Sequence, residues 1–283
     1  MRIFITGGSG LLGAKIAELA LQDHEVYAGY CHNKPEFGEP VKFDLADELA
    51  FIHEIKPEVI IHTAALTNVD ECETNKELAY KLNVEGTLRV AAIAHELDAF
   101  SVYVSTDYVF PGDKGLYKEE DEPKPVDYYG YTKLQGERYC DCVARPCVIY
   151  GAKPASGKVN FALWLIETLR NGEKVNIVTD QYITPTLNTN LAQMVLEISG
   201  QRLKGIFHTA GATRVSRYEF ALQVADKFGL DKDLIVASRM ADMRWAALRP
   251  MDSSLDTTKA AKYLKQKPYS LDMALEVLRG ELR

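Results

Sequence analysis

The sequence predicts an α/β protein: a doubly wound parallel sheet followed by a smaller C-terminal lobe. Three observations carry this. Short apolar runs alternate with helical patterns through the first 150 residues, as in strand–helix–strand units. Several of those runs are apolar almost throughout, as strands buried on both faces of a parallel sheet are. A glycine-rich turn follows the first run directly.

The strand-like runs are IFIT (3–6), EVYAGY (25–30), VIIHTA (59–64), FSVYVS (100–105) and CVIY (147–150). Between them, residues 76–97 place Leu78, Leu82, Val90, Ile93 and Leu97 at helical intervals. After 150 the pattern loosens. FALWLIETL (161–169) and LAQMVLEI (191–198) read as helices, VNIV (175–178) and IFHT (206–209) as strands. SRYEFALQVADKFGL (216–230) reads as a capped helix, with Ser216 at the N-cap, Glu219 three residues later and Gly229 near the end. The basic tail KAAKYLKQKP (259–268) fits one solvated helix face, and EEDEPKP (119–125) a charged loop.

The chain has 283 residues, 47% hydrophobic and 26% charged, ordinary for a globular protein. A net charge of −7 argues against a chain built to bind nucleic acid or an anionic membrane. No run approaches the roughly 20 apolar residues of a membrane span. The first strand begins at residue 2, which leaves no room for a signal peptide. Five cysteines without redox or zinc spacing suggest reduced thiols and a cytoplasmic location. The six histidines show no metal-ligand spacing, so no metal is expected in the chemistry.

ITGGSGLLG places glycines in two readings: Gly8, Gly10 and Gly13 match G-x-G-x-x-G, and Gly7, Gly10 and Gly13 match G-x-x-G-x-x-G. Either sets backbone N–H groups and a helix N-terminus against a dinucleotide pyrophosphate, the mark of a Rossmann-type sheet. Residues 1–150 therefore read as a dinucleotide-binding domain and 151–283 mainly as a substrate lobe, with 206–230 returning to the first domain as a late strand and helix. The second strand ends in GYCHNKP, without the acid that usually binds a ribose 2′-hydroxyl. His32 and Lys34 there favour a 2′-phosphate, hence NADPH over NADH. Asp44 meets the adenine edge, caps a helix, or both.

DYYGYTKLQGE (127–137) holds three tyrosines and a lysine. A tyrosine acid needs a nearby cation to lower a pKa of about 10. Helix neighbours sit three or four residues apart, and only Tyr129 lies four before Lys133. STDYVF (105–110) ends a strand, where hydroxyls face the ligand crevice, so Thr106 or Ser105 is placed to donate to a substrate carbonyl.

TGGSGLLG, TNVDECE, STDYVFPG, YGYTKLQGE, DQYITPT (180–186) and RPMDSSLD (249–256) occur in this order. The set resembles the extended short-chain dehydrogenase/reductase superfamily and, within it, the dTDP-4-dehydrorhamnose reductase family. The resemblance implies Tyr129 as the proton donor, Lys133 as the ribose ligand that depresses the tyrosine pKa, and Thr106 as a second donor to the same oxygen. It implies cofactor contacts from Gly7, Gly10, Leu11, Leu12, Gly13, His32, Asp44, Leu45, Ala64, Ala65 and Leu66. Val69, Asp107 and Tyr108 would border the sugar, Gln181 and Arg249 would face the substrate, and Asn83 would support the site. Val148 stands where many members carry tryptophan, which puts the particular sugar in doubt. The implied function is NAD(P)H-dependent reduction of a nucleotide-linked 4-keto sugar, in a homodimer. The chain also resembles the regulatory β-subunit of methionine adenosyltransferase, which implies a non-catalytic partner of another protein. A third reading, an epimerase or dehydratase, fits less well: only one acid, Asp107, follows Thr106.

Overall fold

The computed structural model describes residues 1–47, 49–153 and 159–283. Strands β1 (Arg2–Thr6), β2 (Glu25–Tyr30), β3 (Glu39–Lys42), β4 (Val59–His62), β5 (Phe100–Val104), β6 (Cys142–Arg145) and β7 (Gly205–His208) form one parallel sheet. Their order is β7-β6-β5-β4-β1-β2-β3. The order reverses between β1 and β4, which opens a crevice at the carboxyl ends of those strands.

Period-two alternation explains the layers. Ile3 and Ile5 face one core, with Ile16 and Ala17 of helix α1 (Leu11–Ala20) and Leu191, Val195 and Ile198 of a later helix. Phe4 and Ile60 face the other, with Val90 and Ala94. The helical pattern of 76–97 is real but interrupted: Lys76–Tyr80 leads into a π-helical turn, Lys81–Glu85, before helix Gly86–Glu96 begins. Such turns are rare and cluster at functional sites.

The sixth strand is CVAR (142–145), not CVIY (147–150) as the apolar run suggested. Pro146 ends the pairing because it lacks a ladder donor. Val148 then takes φ +44, a conformation costly for a β-branched residue. Ile149–Tyr150 pairs instead with Thr186–Leu187, away from the main sheet.

A third core gathers Leu165, Ile166, Phe220, Val224, Leu275 and Leu278 from helices Phe161–Arg170, Arg217–Phe228 and Leu271–Glu281. The second half of the chain is shared between lobe and sheet. Helix Asn188–Gln201 packs on α1, and β7 pairs with β6. The helix at 217–228 does not return with that strand; its neighbours are the other two lobe helices. Its Ser216–Glu219 capping box is formed, and Gly229 closes it at φ +64. All five cysteines are free. Among the described residues no helix is long and apolar enough to cross a membrane.

Candidate active site

A cavity of about 850 Å³ runs from the glycine turn to the lobe. At its first end Gly7 has φ +68, and a Cβ on Gly13 would lie 2.2 Å from the Gly7 carbonyl oxygen. Gly7, Gly10 and Gly13 line the cavity, whereas Gly8 packs on Ala28. The G-x-x-G-x-x-G spacing is therefore the one that faces a ligand. Gly10 is the N-cap of α1 and offers no side-chain cap, so the first-turn amides are left for a ligand. Leu11 and Leu12 continue this wall.

Beneath the turn lies a buried polar chain. Thr87 donates to the Asn83 carbonyl, so its Oγ accepts from His62 Nε2 at 3.0 Å. His62 Nδ1 then accepts from Thr6 Oγ1 at 2.7 Å, and Thr6 accepts from the Thr63 and Ala64 amides. The chain of donors sets the neutral Nε2–H tautomer. Burial, aided by the Lys133 charge, pushes the His62 pKa down to about 3. Ala64, Ala65 and Leu66 carry this support to the cavity wall.

Further along, His32, Asp44 and Leu45 line the cavity. Among the described residues Asp44 caps no helix; it accepts from the Ala46 amide at 2.8 Å and from the Cys31 thiol at 3.3 Å. Val69 lies on the wall between the two ends.

Helix Tyr128–Gly136 carries the tyrosine–lysine pair on one face, capped by Asp127 through the Gly130 amide. Tyr129 and Lys133 both line the cavity, whereas Tyr128 and Tyr131 pack on each other, rings 5.4 Å apart, away from it. Lys133 is buried. Its ammonium donates to the Val104 carbonyl at 2.7 Å and lies 4.1 Å from the Tyr103 ring centroid. Burial pushes its pKa down to about 7, against the pull of Glu137. Burial also holds the Tyr129 phenol above its usual value, with a hydrogen bond to Thr106 acting the other way. Asn83 ties this helix to the wall: it bonds both backbone groups of Leu66 and donates to Thr132 at 3.0 Å.

Ser105 and Thr106 divide their work. Ser105 donates to Glu137 at 2.6 Å, and Glu137 in turn holds buried Arg145 through two bonds of 2.8 and 2.6 Å. Thr106 lines the cavity and shares its hydroxyl with Asp107 Oδ1 and the Tyr108 amide. Asp107 also accepts from Cys147 at 3.1 Å and Ser253 at 2.5 Å. Burial raises its pKa despite these bonds. The Tyr108 ring sits 6.1 Å from that of Tyr129, nearly edge-on.

Two expected substrate residues lie off the cavity wall. Arg249 pairs with Asp70 at 3.0 Å, against the Trp245 ring. Gln181 is 2% exposed and bonds the Pro250 carbonyl and Arg217. Arg217, Asn160 and Val148 do line the cavity. No sequence motif marked Arg217; its place at the start of a capped helix was the one available signal.

The sequence profile of the RmlD substrate binding domain matches residues 1–281. The chain is 35% identical to the probable low-salt glycan biosynthesis reductase of Haloferax volcanii over 91% of this chain and 90% of that protein. It is 32% identical to methionine adenosyltransferase 2 subunit beta of Xenopus tropicalis, over 92% of this chain and 82% of that one. The solved structure of dTDP-4-dehydrorhamnose reductase from Bacillus anthracis, in complex with NADP, superposes with a TM-score of 0.88 at 28% identity, covering 99% of each chain.

Proposed function

The chain belongs to the RmlD substrate binding domain family, and on that premise we propose that it is an NAD(P)H-dependent reductase of a nucleotide-linked 4-keto deoxysugar. The substrate to test first is dTDP-4-dehydro-L-rhamnose, giving dTDP-L-rhamnose. One observation carries this reading: Thr106, Tyr129 and Lys133 share a single cavity with the Gly7–Gly13 turn. NADPH, when bound, supplies the hydride. The turn amides would receive its pyrophosphate, and a Cβ at Gly13 would close that cradle. His32 and Asp44 would border the adenosine end, and Lys133 would hold the nicotinamide ribose. Tyr129 keeps its proton at neutral pH and would donate it to the keto oxygen. Thr106 would turn its hydroxyl from Asp107 to the same oxygen. Oriented donors at a developing oxyanion contribute about 3 kcal/mol each. We also read residues 1–150, with 188–208, as the cofactor half and the remainder mainly as the substrate lobe.

The test is NADPH and NADH consumption with dTDP-4-dehydrorhamnose, beside Tyr129→Phe. Turnover by the parent, lost by about 10²-fold or more in the variant with NADPH affinity intact, supports the reductase and the role of Tyr129. A fully active variant removes Tyr129 from the chemistry. The likeness to methionine adenosyltransferase 2 subunit beta favours a second reading, a cofactor-binding subunit without turnover. Absence of turnover on a panel of keto sugars, with tight binding to a methionine adenosyltransferase catalytic subunit, would select it.

A further inference from the structure

One arginine lines the cavity among the described residues, Arg217, and it stands at the lobe end, away from the glycine turn. Neighbouring basic groups are already engaged: Arg145 with Glu137, Arg214 with Asp252, Arg249 with Asp70, and Lys133 with the Val104 carbonyl. Arg217 has no carboxylate partner among the described residues. Its Nε donates to Gln181 Oε1 at 3.1 Å, and its guanidinium lies 5.5 Å from the Phe161 ring centroid. Those two contacts hold the planar group and, among the described residues, leave both terminal nitrogens without a hydrogen-bond partner.

The placement costs the fold something. Arg217 is the first residue of its helix, after the Ser216 cap, where the helix dipole opposes a cation. Glu219 in the same turn accepts from the Ser216 amide and makes no ion pair with Arg217 among the described residues. A bound anion would be attracted by both the guanidinium and the helix end. In a chain of net charge −7, an anionic ligand needs such a local cation. The arginine shares the cavity wall with the reacting groups: Arg217, Tyr108 and Tyr129 all line it, and Tyr108 packs edge-on to Tyr129.

We infer that Arg217 receives the phosphate groups of the substrate, and that Gln181 is the positioning residue that aims it. The inference rests on the proposed reduction of a nucleotide-linked sugar. It assigns the two anionic ligands to opposite ends of the cavity: the cofactor's pyrophosphate to backbone amides, the substrate's to a guanidinium. Gln181, 2% exposed, is fixed by Pro250 from behind and so fixes the arginine in turn.

The test is calorimetric titration of the NADPH-loaded protein with dTDP, UDP, inorganic pyrophosphate and thymidine, for the parent, Arg217→Gln, Arg217→Lys and Gln181→Leu. NADPH affinity reports on folding in each. The expected result is dTDP bound far more tightly than thymidine by the parent. Arg217→Gln should weaken dTDP by roughly 10- to 100-fold, the scale of a charge-assisted bond, with NADPH and thymidine unchanged. Arg217→Lys should recover part of the loss, since it restores charge without the fork. Gln181→Leu should give a smaller loss of the same selectivity. Unchanged dTDP affinity in Arg217→Gln, with the parent binding dTDP, overturns this inference alone. A parent that binds NADPH but no diphosphate overturns the nucleotide-sugar reading as well.

Discussion

At the turn end of the cavity the wall from Gly7 to Gly13 is one stretch of chain, and backbone shapes it: a left-handed Gly7 and a Gly13 with no room for a Cβ. At the lobe end Asp107, Tyr108, Val148, Asn160 and Arg217 arrive from separate stretches, and side chains shape it. Asp107 is held by Ser253, 146 residues away, and Arg217 by Gln181. The difference is one of tolerance. A backbone cradle fails at a few positions by steric collision, whereas a network of side-chain bonds loses its function by degrees.

The largest expected effect breaks the turn end. Gly13→Ala sets a methyl 2.2 Å from the Gly7 carbonyl oxygen, a backbone atom with nowhere to go. Helix α1 must shift, at a cost of about 1–3 kcal/mol in stability and roughly tenfold or more in NADPH affinity. Urea unfolding and a fluorescence titration with NADPH would read both. An unchanged midpoint and affinity would mean that α1 slides freely, and the contrast between the two ends would fall.

Acid should separate the ends next. His62, below the turn, has its ordinary value of 6.5 pushed to about 3. Between those pH values the unfolded chain takes up a proton that the folded protein refuses. Stability therefore falls as pH falls through that window, by about 1.4 kcal/mol per pH unit. Burial with the Arg145 charge gives His208 the same direction, to about 3, near the lobe. There Asp127 works against it. Burial raises its carboxyl to about 6, so between its ordinary value and about 6 the folded protein binds the extra proton, and acid adds stability. We expect His62→Gln to flatten the fall in unfolding free energy between pH 7 and 5, and Asp127→Asn to steepen it. Parallel pH profiles for all three proteins would show that neither group titrates as its burial requires.

The smallest effect concerns an exposed pair outside the cavity lining. Lys153 meets Glu36 at 3.3 Å and lies over the Phe37 ring, but both charged side chains are at least 60% exposed. Lys153→Ala should change stability by about 0.5 kcal/mol or less and leave NADPH affinity intact. A loss above about 1.5 kcal/mol would show that this contact is more than a screened surface pair.

Much of the cavity's first end was legible because its signals are local. Glycine spacing after an apolar strand needs only seven residues of context, and the Tyr129–Lys133 face follows from 3.6 residues per turn. Position at a strand end left Thr106 and Ser105 open, and the family resemblance chose Thr106; the structure adds that Ser105 is engaged with Glu137 at 2.6 Å. The strand reading of CVIY failed because an apolar run does not reveal its pairing partner; Thr186–Leu187 does. Arg249 in a suggestive motif turned out to serve Asp70.

What the sequence determined by itself is the set of features that short stretches specify: the alternating elements, the turn, the capped helices and the helical face of Tyr129 and Lys133. The tertiary structure alone decided which strand extends the sheet, where Val148 turns to positive φ, and that Gln181 braces Arg217 across 36 residues. The reason is physical. A backbone conformation or a helical face depends on neighbours in the chain, while the partner of a buried polar group depends on the path of everything between the two.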